Sequence, residues 1–398
     1  MNVLDIPQTS QEWMDELNLI IQRGRGLDWT IPTNRFFGNF NLSYGPSLEQ
    51  WKDLEWYGPL EPFLRDPRLN VSDVLVNGSH QEMVIVSQGR RQQTGIKIHQ
   101  SWIELFQQQM LLQSGLVTPE TVEDWPALVG HPHPAHMVVG CVNRSIRFGI
   151  TRSPATPAGP TLSLRILPDK WPYLDELVSS AVISREAADM LLESLRRGVS
   201  IIIAGMTGSG KTTLTTALLQ HIGQEKRIVV LEEAAELPDF TDSIHIEVLR
   251  SGLSFAECVY FTLRQKPDLV VVGEVRGNEA MALIRAAATG HPGVATIHAA
   301  NTQTALKNLE RMACEEGNVP PTMIRQSISD INNPFLIVHI GRYGGRRMVG
   351  AIDEIRPVGS GSGSGDNYPL QHLFGFDAER NALVRTGWVQ GDWGRNDL

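Results

Sequence analysis

Cysteine is scarce in this chain of 398 residues, which has only Cys141, Cys258 and Cys314. These residues lie far apart and form no CxxC pair. An odd and sparse count of this kind argues against a disulfide framework and against a structural zinc site. We therefore expect each cysteine to act as a small buried hydrophobic residue.

Long apolar runs and an excess of positive charge are also lacking. No run approaches the roughly 18–20 apolar residues that span a bilayer, and the first residues have no basic or apolar region typical of a signal peptide. The net charge is −9, and neither the part up to Lys170 nor the part after it is positive. Bulk nucleic-acid binding is therefore disfavoured, and we expect a cytoplasmic protein that contacts the membrane only through a partner.

The composition that is present is that of a folded protein, with 41% hydrophobic and 20% charged residues. Proline and glycine divide the chain. We predict an N-terminal extension over 1–50, an α+β domain over 51–167, a linker over 168–183 and a C-terminal domain over 184–398. The Gly/Ser tract over 359–365 has the composition of a flexible loop or linker.

Hydrophobic patterning gives the two domains different characters. In the smaller domain it predicts a helix over 102–112 and strands over 71–76, 83–87, 137–142, 145–150 and 162–167. The larger domain alternates continuous Val/Ile runs with helices, which predicts a mainly parallel sheet covered on both faces. Its strands are predicted over 201–204, 227–231, 269–272 and 293–297, and a hairpin around Gly344-Gly345 joins strands over 335–340 and 347–355.

A phosphate-binding loop follows the first of these Val/Ile strands. The segment from Gly205 to Thr212 reads GMTGSGKT, which matches GxxxxGK[ST] between a buried strand and a helix. Glycines let backbone N–H groups curl around phosphates, and the helix N-terminus adds partial positive charge. Lys211 is predicted to contact the β- and γ-phosphates and Thr212 to bind Mg²⁺. The predicted nucleotide-binding residues of the loop are Gly205, Thr207, Gly208, Ser209, Gly210, Lys211, Thr212 and Thr213.

Carboxylates and histidines follow other strands of the same domain. Glu274 comes after the strand over 269–272, with Gly273 where a metal-binding Asp is usual, and Glu232, Glu233 and Glu236 come after another strand. Nucleotides lie at such strand ends, and Glu274 can polarise the attacking water or steady the metal. His291 and His298 flank a further strand and can sense phosphate charge. The alternatives are an exposed loop carboxylate for Glu274 and structural roles for Glu236 and both histidines.

Four segments together resemble the hexameric secretion and type IV pilus ATPases. They are GMTGSGKTT (Walker A), VLEEAAEL (aspartate box), VVVGEVRG (an atypical Walker B) and TGHPGVATIHAAN (histidine box), and the resemblance covers roughly residues 58–387. The chain looks most similar to the tight-adherence (Tad/Flp) pilus branch. The opening GPLEPFLRDPRLNVSDVLVNG, the tail LFGFD…LVRTGW and the absence of a tetracysteine motif favour that branch.

The resemblance implies an α/β fold, with a RecA-like P-loop NTPase domain after a smaller α+β, PAS-like domain. It implies a homohexameric, Mg²⁺-dependent ATPase at the inner face of the membrane. This motor would drive pilus assembly or retraction, or protein secretion, through an inner-membrane platform protein. Other hypotheses are a type IV secretion or conjugation traffic ATPase and a nucleotide-regulated scaffold with little turnover. A nucleic-acid translocase is disfavoured by the charge, and a kinase by the lack of an acceptor-substrate motif.

The resemblance also implies roles for single residues. Lys211, Glu232 and Glu274 match catalytic positions, and the metal would be held by Thr212, Glu232 and Glu274. His291 and His298 match the histidine box. Arginines of the smaller domain reach the phosphates in this family, and the candidates here are Arg147, Arg152 and Arg165, for which a solvated strand arginine is the alternative. Arg264 and Arg276 are expected to stabilise the site or to form salt bridges with the acidic box.

Two departures from the family pattern stand in these segments. Glu233 takes the place of the usual Asp, and Ile166 follows Arg165 where the family often has a second arginine.

Overall fold

The computed structural model describes residue 60 and residues 63–64, 69–87, 89–98, 100–118, 137–277, 279–330, 332–357 and 367–389. The predicted extension over 1–50 and the Gly/Ser tract over 359–365 lie outside these residues. The chain forms two compact units. The first takes in Met1–Asp169 and Ala234–Glu236, and the second takes in Lys170–Glu233 and Leu237–Leu398.

The first unit contains a six-stranded antiparallel sheet in the order β3-β2-β1-β6-β5-β4. Helix α1 (Gln100–Gln113) packs against β4 and β6. The predicted helix and strands of this unit are thus confirmed. The strands are β1 (Val71–Val76), β2 (Glu82–Ser87), β3 (Arg90–Lys97), β4 (Met137–Val142), β5 (Ile146–Thr151) and β6 (Thr161–Ile166).

Side-chain alternation explains which strands of this sheet were predictable. On β5, Ile146, Phe148 and Ile150 are buried, and the residues between them face the other side. Strand β3, which reads RRQQTGIK, was missed. It is polar and mostly exposed at the sheet edge, so it carries no hydrophobic period to detect.

The second unit contains a nine-stranded sheet in the order β15-β14-β13-β12-β7-β11-β10-β8-β9. The six neighbouring strands β12, β7, β11, β10, β8 and β9 pair in parallel. Strands β13, β14 and β15 extend the sheet beyond β12 as an antiparallel wing. The strands are β7 (Ser200–Ala204), β8 (Ile228–Glu232), β9 (Ser243–Glu247), β10 (Leu269–Val275), β11 (Gly293–Ile297), β12 (Phe335–Tyr343), β13 (Arg346–Ile355), β14 (Leu370–Asp377) and β15 (Ala382–Arg385).

Helices cover both faces of this sheet, as predicted. Alternate residues of β7 belong to different cores: Ile201 and Ile203 pack with helices α3 and α4, and Ile202 packs with α7 and α8. Strand β7 is therefore buried on both sides. The helices are α2 (Leu174–Ser179), α3 (Arg185–Arg196), α4 (Lys211–Ile222), α5 (Val248–Ser251), α6 (Phe255–Thr262), α7 (Glu279–Ala288), α8 (Thr302–Gly317) and α9 (Pro321–Ile328).

The segment over 168–183, which the sequence predicts to be a linker, contains helix α2. Leu174 and Leu177 of this helix are buried in the same core as α3 and α4. The prolines at 168 and 172 mark only the start of the segment. The described part of the second unit therefore begins at Lys170 and includes α2.

A buried tyrosine just before β14 attaches the antiparallel wing to helix α8. The Tyr368 hydroxyl donates to Glu310 Oε2 at 2.6 Å. The Tyr368 backbone N–H donates to Gln303 Oε1 at 3.0 Å, and its carbonyl accepts from Gln303 Nε2 at 2.7 Å. Arg325 of α9 bonds the same Glu310 carboxylate at 2.6 Å. Burial and the bond to Glu310 both raise the pKa of Tyr368 well above its ordinary value.

Replacing Tyr368 with phenylalanine should destabilise the second unit. The change removes one hydrogen bond to a buried carboxylate and keeps the ring, so we expect a loss of about 1–3 kcal/mol in the free energy of unfolding. Urea unfolding followed by circular dichroism measures the loss. Tyr260→Phe is the matched control, because the Tyr260 side chain is exposed on α6, and it should cost less than about 0.5 kcal/mol. Equal losses in the two variants would contradict the anchoring role of Tyr368.

Candidate active site

The carboxyl ends of four adjacent strands assemble the candidate site. Strands β7, β11, β10 and β8 are neighbours and run parallel. Gly205 follows β7, His298 follows β11, Glu274 lies near the end of β10, and Glu232 ends β8. Parallel pairing brings these residues to the same edge of the sheet, where ligands bind in α/β proteins.

The loop between β7 and α4 has the backbone that its glycines make possible. Gly208 and Gly210 have φ values of 69° and 105°, a region that residues with a Cβ rarely enter. A Cβ on Gly205 would lie 2.3 Å from the Ile340 carbonyl oxygen and 2.5 Å from Ser209 Oγ. Gly210 precedes α4 and provides no capping side chain, so the helix N-terminus is open to an anion.

Lys211 is buried in this loop. Its Nζ donates to the Gly205 carbonyl at 2.9 Å and to the Met206 carbonyl at 3.3 Å, and it lies 3.5 Å from His298 Nδ1. Within the described part of the chain, the buried Ser209 hydroxyl has no hydrogen-bond partner. A buried ammonium beside an unsatisfied hydroxyl and a helix N-terminus is suited to a polyphosphate. Thr207 of the loop is exposed, and Thr212 and Thr213 are partly buried in the first turn of α4.

Glu274 lies between His298 and Arg276, which contact different oxygens of its carboxylate. His298 Nε2 lies 2.5 Å from Glu274 Oε1, and the Arg276 guanidinium contacts Glu274 Oε2. Arg276 also reaches Glu233 Oε2 at 3.2 Å. Burial and the nearby Lys211 ammonium lower the pKa of His298, and Glu274 opposes this shift. Lys211, His298, Glu274, Arg276 and Glu233 thus form one chain of contacts.

The structure gives the two motif arginines different partners. The predicted salt bridge of Arg276 to the acidic box is confirmed by its contact with Glu233. Arg264 instead bonds the Tyr260 hydroxyl at 2.5 Å, with its guanidinium 4.7 Å from the ring centroid. Among the contacts described for Arg264, none is to the acidic box.

Gly273 makes room for Glu232. A Cβ at position 273 would lie 3.0 Å from Glu232 Cγ, so the Asp that is usual there would displace the Glu232 side chain. The pairing of β10 with β11 is irregular between Val272 and Val275, and the Thr296 hydroxyl donates to the Gly273 carbonyl at 2.6 Å. The irregularity and this hydrogen bond fix the direction of the backbone at Glu274.

The donor set at this edge fits Mg²⁺. No group of three His, Cys, Asp or Glu side chains within the described ranges could hold a metal by itself. Mg²⁺ is usually bound by one or two carboxylates, with substrate phosphates and water completing the octahedron. Thr212, Glu232 and Glu274 supply a hydroxyl and two carboxylates at the edge where the phosphates would lie.

The structure does not bring His291 into this group. His291 precedes the amino end of β11, whereas the site lies at the carboxyl ends of the parallel strands. Its Nδ1 lies 3.2 Å from the Thr289 hydroxyl, and its backbone N–H donates to the Ala286 carbonyl. The five residues of β11 therefore separate the two histidines of this motif, which lie at opposite ends of the strand.

The candidate arginines lie on the sheet of the first unit. Arg147 on β5 is directly opposite Arg165 on β6, and Arg165 is opposite Asp73 on β1. Arg147 forms an ion pair with Glu236, which belongs to the same unit. Arg152 comes just after the end of β5, and its carbonyl accepts from the Thr156 N–H. The three arginines therefore lie on or next to one strand pair.

Sequence reasoning missed His245, which lies on β9. Its side chain is 5% exposed, and its Nδ1 is 3.7 Å from Glu232 Oε2. The only sequence signal is a polar residue between the two isoleucines of the strand SIHIE.

Comparison with known proteins gives the family of the chain. The family described as "Type II/IV secretion system protein" matches residues 104–339. A probable conjugal transfer protein TrbB of Sinorhizobium fredii is 34% identical over 212 residues, which are 52% of this chain and 64% of that protein. A homologue of the type IV secretion system protein PtlH from Bordetella bronchiseptica is 32% identical over 240 residues, 51% of this chain and 70% of that protein. The match to TrbB covers less than two thirds of that relative's length.

Solved structures show the same fold. The ATPase DotB of Legionella pneumophila is 19% identical with a TM-score of 0.52, over 75% of this chain and 80% of that chain. The pilus retraction motor PilT, solved with bound ADP, is 20% identical with a TM-score of 0.54, over 76% of this chain and 83% of that chain. The family match extends over more than half of the sequence and includes the site from the phosphate-binding loop to His298. The chain therefore belongs to the type II/IV secretion system protein family.

Proposed function

We propose that the protein is a Mg²⁺-dependent ATPase that works as a homohexameric motor of a pilus or secretion machine. The observation that carries the proposal is the contact chain from Lys211 through His298 to Glu274. This chain links the group that holds the phosphates to the group that activates water. A binding protein without turnover needs only the first of these groups.

The site performs hydrolysis mainly by positioning charges. Lys211, the loop N–H groups and the N-terminus of α4 bind the β- and γ-phosphates, and Ser209 adds a hydroxyl donor. Mg²⁺, held by Thr212 with Glu232 and Glu274, would neutralise charge on the phosphate oxygens. Glu274 orients the attacking water and accepts hydrogen bonds from it. His298 and Arg276 restrict the Glu274 carboxylate to one orientation.

Arginines of the first unit remain part of the proposal as phosphate contacts. Arg147 and Arg165 are like charges opposite one another, an arrangement that destabilises a sheet unless anions are nearby. Asp73, opposite Arg165, and Glu236 are such anions in the structure, and the phosphates of ATP would be another. We therefore keep Arg147, Arg165 and Arg152 as proposed phosphate contacts. Closure on ATP and reopening after hydrolysis would then produce a hinge motion.

The motor is proposed to act on an inner-membrane platform protein from the cytoplasmic side, without binding nucleic acid. Among the residues that the structure describes, no helix has both the length and the apolar character needed to cross a membrane. The membrane would be reached through the platform. PilT is described as a pilus retraction motor, and PtlH as a type IV secretion system protein.

Two finer assignments belong to the same proposal. The opening and tail segments of the sequence favour the tight-adherence pilus branch. The alternative is a conjugation or type IV secretion traffic ATPase, which the likeness to TrbB favours. A scaffold with little turnover is disfavoured by the presence of Lys211, Glu232 and Glu274.

Turnover should depend on assembly and on Glu274. We expect the rate of Mg·ATP hydrolysis per subunit to rise as the protein concentration drives hexamer formation, with mass followed by light scattering. Glu274→Gln should lower kcat by roughly 100-fold or more, because it removes the group that polarises water, and should leave ATP binding intact. An assembled ring that binds ATP but hydrolyses none, even with its membrane partner added, would favour the scaffold instead.

Glycine at position 273 is predicted to be required for activity. In Gly273→Ala the added methyl would lie 3.0 Å from Glu232 Cγ and shift the Glu232 side chain slightly, and because catalysis is sensitive to the position of this carboxylate we expect kcat to fall by roughly 10- to 100-fold. Gly277→Ala is the matched control, because its methyl would meet only Glu279 Oε2, at 3.9 Å. The control should retain activity within about twofold. Steady-state kinetics on both variants checks the prediction, which fails if they behave alike.

Arg165 is predicted to contribute to phosphate binding. Arg165→Ala should raise KM for ATP by roughly 10-fold, because the loss of a hydrogen bond to a charged group weakens binding by about this factor. Arg91→Ala is the control, since Arg91 is exposed on β3 at the far edge of the same sheet. An unchanged KM in Arg165→Ala would assign this arginine to the solvated surface.

A further inference from the structure

His245 is a buried polar residue beside the candidate site. It lies on β9, the edge strand next to β8, in register with Val230. Since side chains alternate along a strand, His245 and Glu232 project from the same face of the sheet. The ring stacks on Phe240 at 6.1 Å with an interplanar angle of 20°. Neither ring nitrogen has a hydrogen-bond partner among the described residues.

Two carboxylates face the two nitrogens of this ring. Nδ1 lies 3.7 Å from Glu232 Oε2, and Nε2 lies 3.6 Å from Asp239 Oδ1. Glu232 is buried, whereas the Asp239 side chain is 75% exposed. Both separations exceed a hydrogen bond of about 2.9 Å by less than an ångström. Small side-chain rotations would close them.

The Glu232 carboxylate has a shared backbone contact on its other side. The Leu237 N–H lies 3.1 Å from Oε1 and 3.4 Å from Oε2. This N–H does not by itself distinguish the two carboxylate oxygens. A donor at Nδ1 of His245 would select which oxygen turns toward the strand ends.

Packing alone does not account for a histidine at this position. Burying imidazole nitrogens without partners costs free energy, and a phenylalanine would fill the same space against Phe240 without that cost. The nitrogens, rather than the ring, are therefore the feature that requires an explanation.

We propose that His245 is a positioning residue for Glu232. Its Nδ1–H donates to Glu232 when substrate is bound and fixes the carboxylate for Mg²⁺, and stacking on Phe240 orients the ring. The proposal rests on the proposed function, in which Glu232 is a metal ligand. It assigns a role to a strand that lies outside the four sequence motifs.

Three variants separate positioning from packing. His245→Phe keeps a ring but no donor. His245→Asn keeps a donor near the place of Nδ1, and Phe240→Leu removes the stacking partner and leaves His245 unchanged. For each we would measure the affinity for a fluorescent ATP analogue in EDTA and in Mg²⁺, the Mn²⁺ affinity of the nucleotide complex by electron paramagnetic resonance, steady-state kinetics and the Tm.

In His245→Phe we expect affinity in EDTA to equal that of wild type. The gain in affinity from Mg²⁺, the Mn²⁺ affinity and kcat should each fall roughly 10-fold, and Tm should not fall. His245→Asn should recover at least half of the metal-dependent gain. Phe240→Leu should lower Tm and retain most of that gain. Where His245→Phe does not fold, His245→Ala replaces it in the comparison with His245→Asn.

The proposal is overturned if His245→Phe gains as much ATP affinity from Mg²⁺ as the wild type does. It is also overturned if His245→Asn loses as much of that gain as His245→Phe. A wild-type protein that gains no affinity from Mg²⁺ would instead overturn the proposed function, and the two failures are therefore distinguishable.

Discussion

The parallel hydrogen bonding of β7, β11, β10 and β8 is the constraint on which the rest of the protein depends. Ala204 pairs beside Ile297 and Leu231 beside Val272, and the register is interrupted only between Val272 and Val275 in the described pairing of β10 with β11. Their apolar side chains are buried on both faces, so a shift of the strand register by one residue would move each side chain from one core to the other. The same register places the phosphate-binding loop, His298, Glu274 and Glu232 together at the carboxyl ends of the strands.

Charges at this edge compensate one another without a ligand. Positive Lys211 and Arg276 alternate with negative Glu274 and Glu233, and His298 lies between Lys211 and Glu274. Partly buried charges are costly unless they are paired. A polyphosphate would compete with protein carbonyls for Lys211, and its arrival would alter the surroundings of His298 and hence of Glu274. The site is therefore built so that phosphate binding and the Glu274 carboxylate are physically connected.

Local spacing in the sequence identifies motifs that sit directly after a buried strand, such as the loop around Lys211 and the carboxylate at Glu274. It does not determine contacts between distant motifs, such as that of Arg276 with Glu233. It also does not determine where the flanking residues of a motif lie. His291 shares a motif with His298 but precedes its strand, and 168–183 contains the buried helix α2 beyond its prolines. Strand β3 and His245 were missed because neither carries a local pattern.

The two kinds of sheet, the phosphate-binding loop and the acidic strand ends can be predicted from the sequence, because hydrophobic periodicity and glycine spacing are patterns within a few residues. Which of those residues contact one another depends on the tertiary structure. Residue 273 shows the difference: in the sequence its glycine is the absence of the usual aspartate, and only the fold shows that a Cβ there would lie 3.0 Å from Glu232 Cγ. Strand order and register are set by contacts between distant segments, and such contacts leave no mark on local spacing.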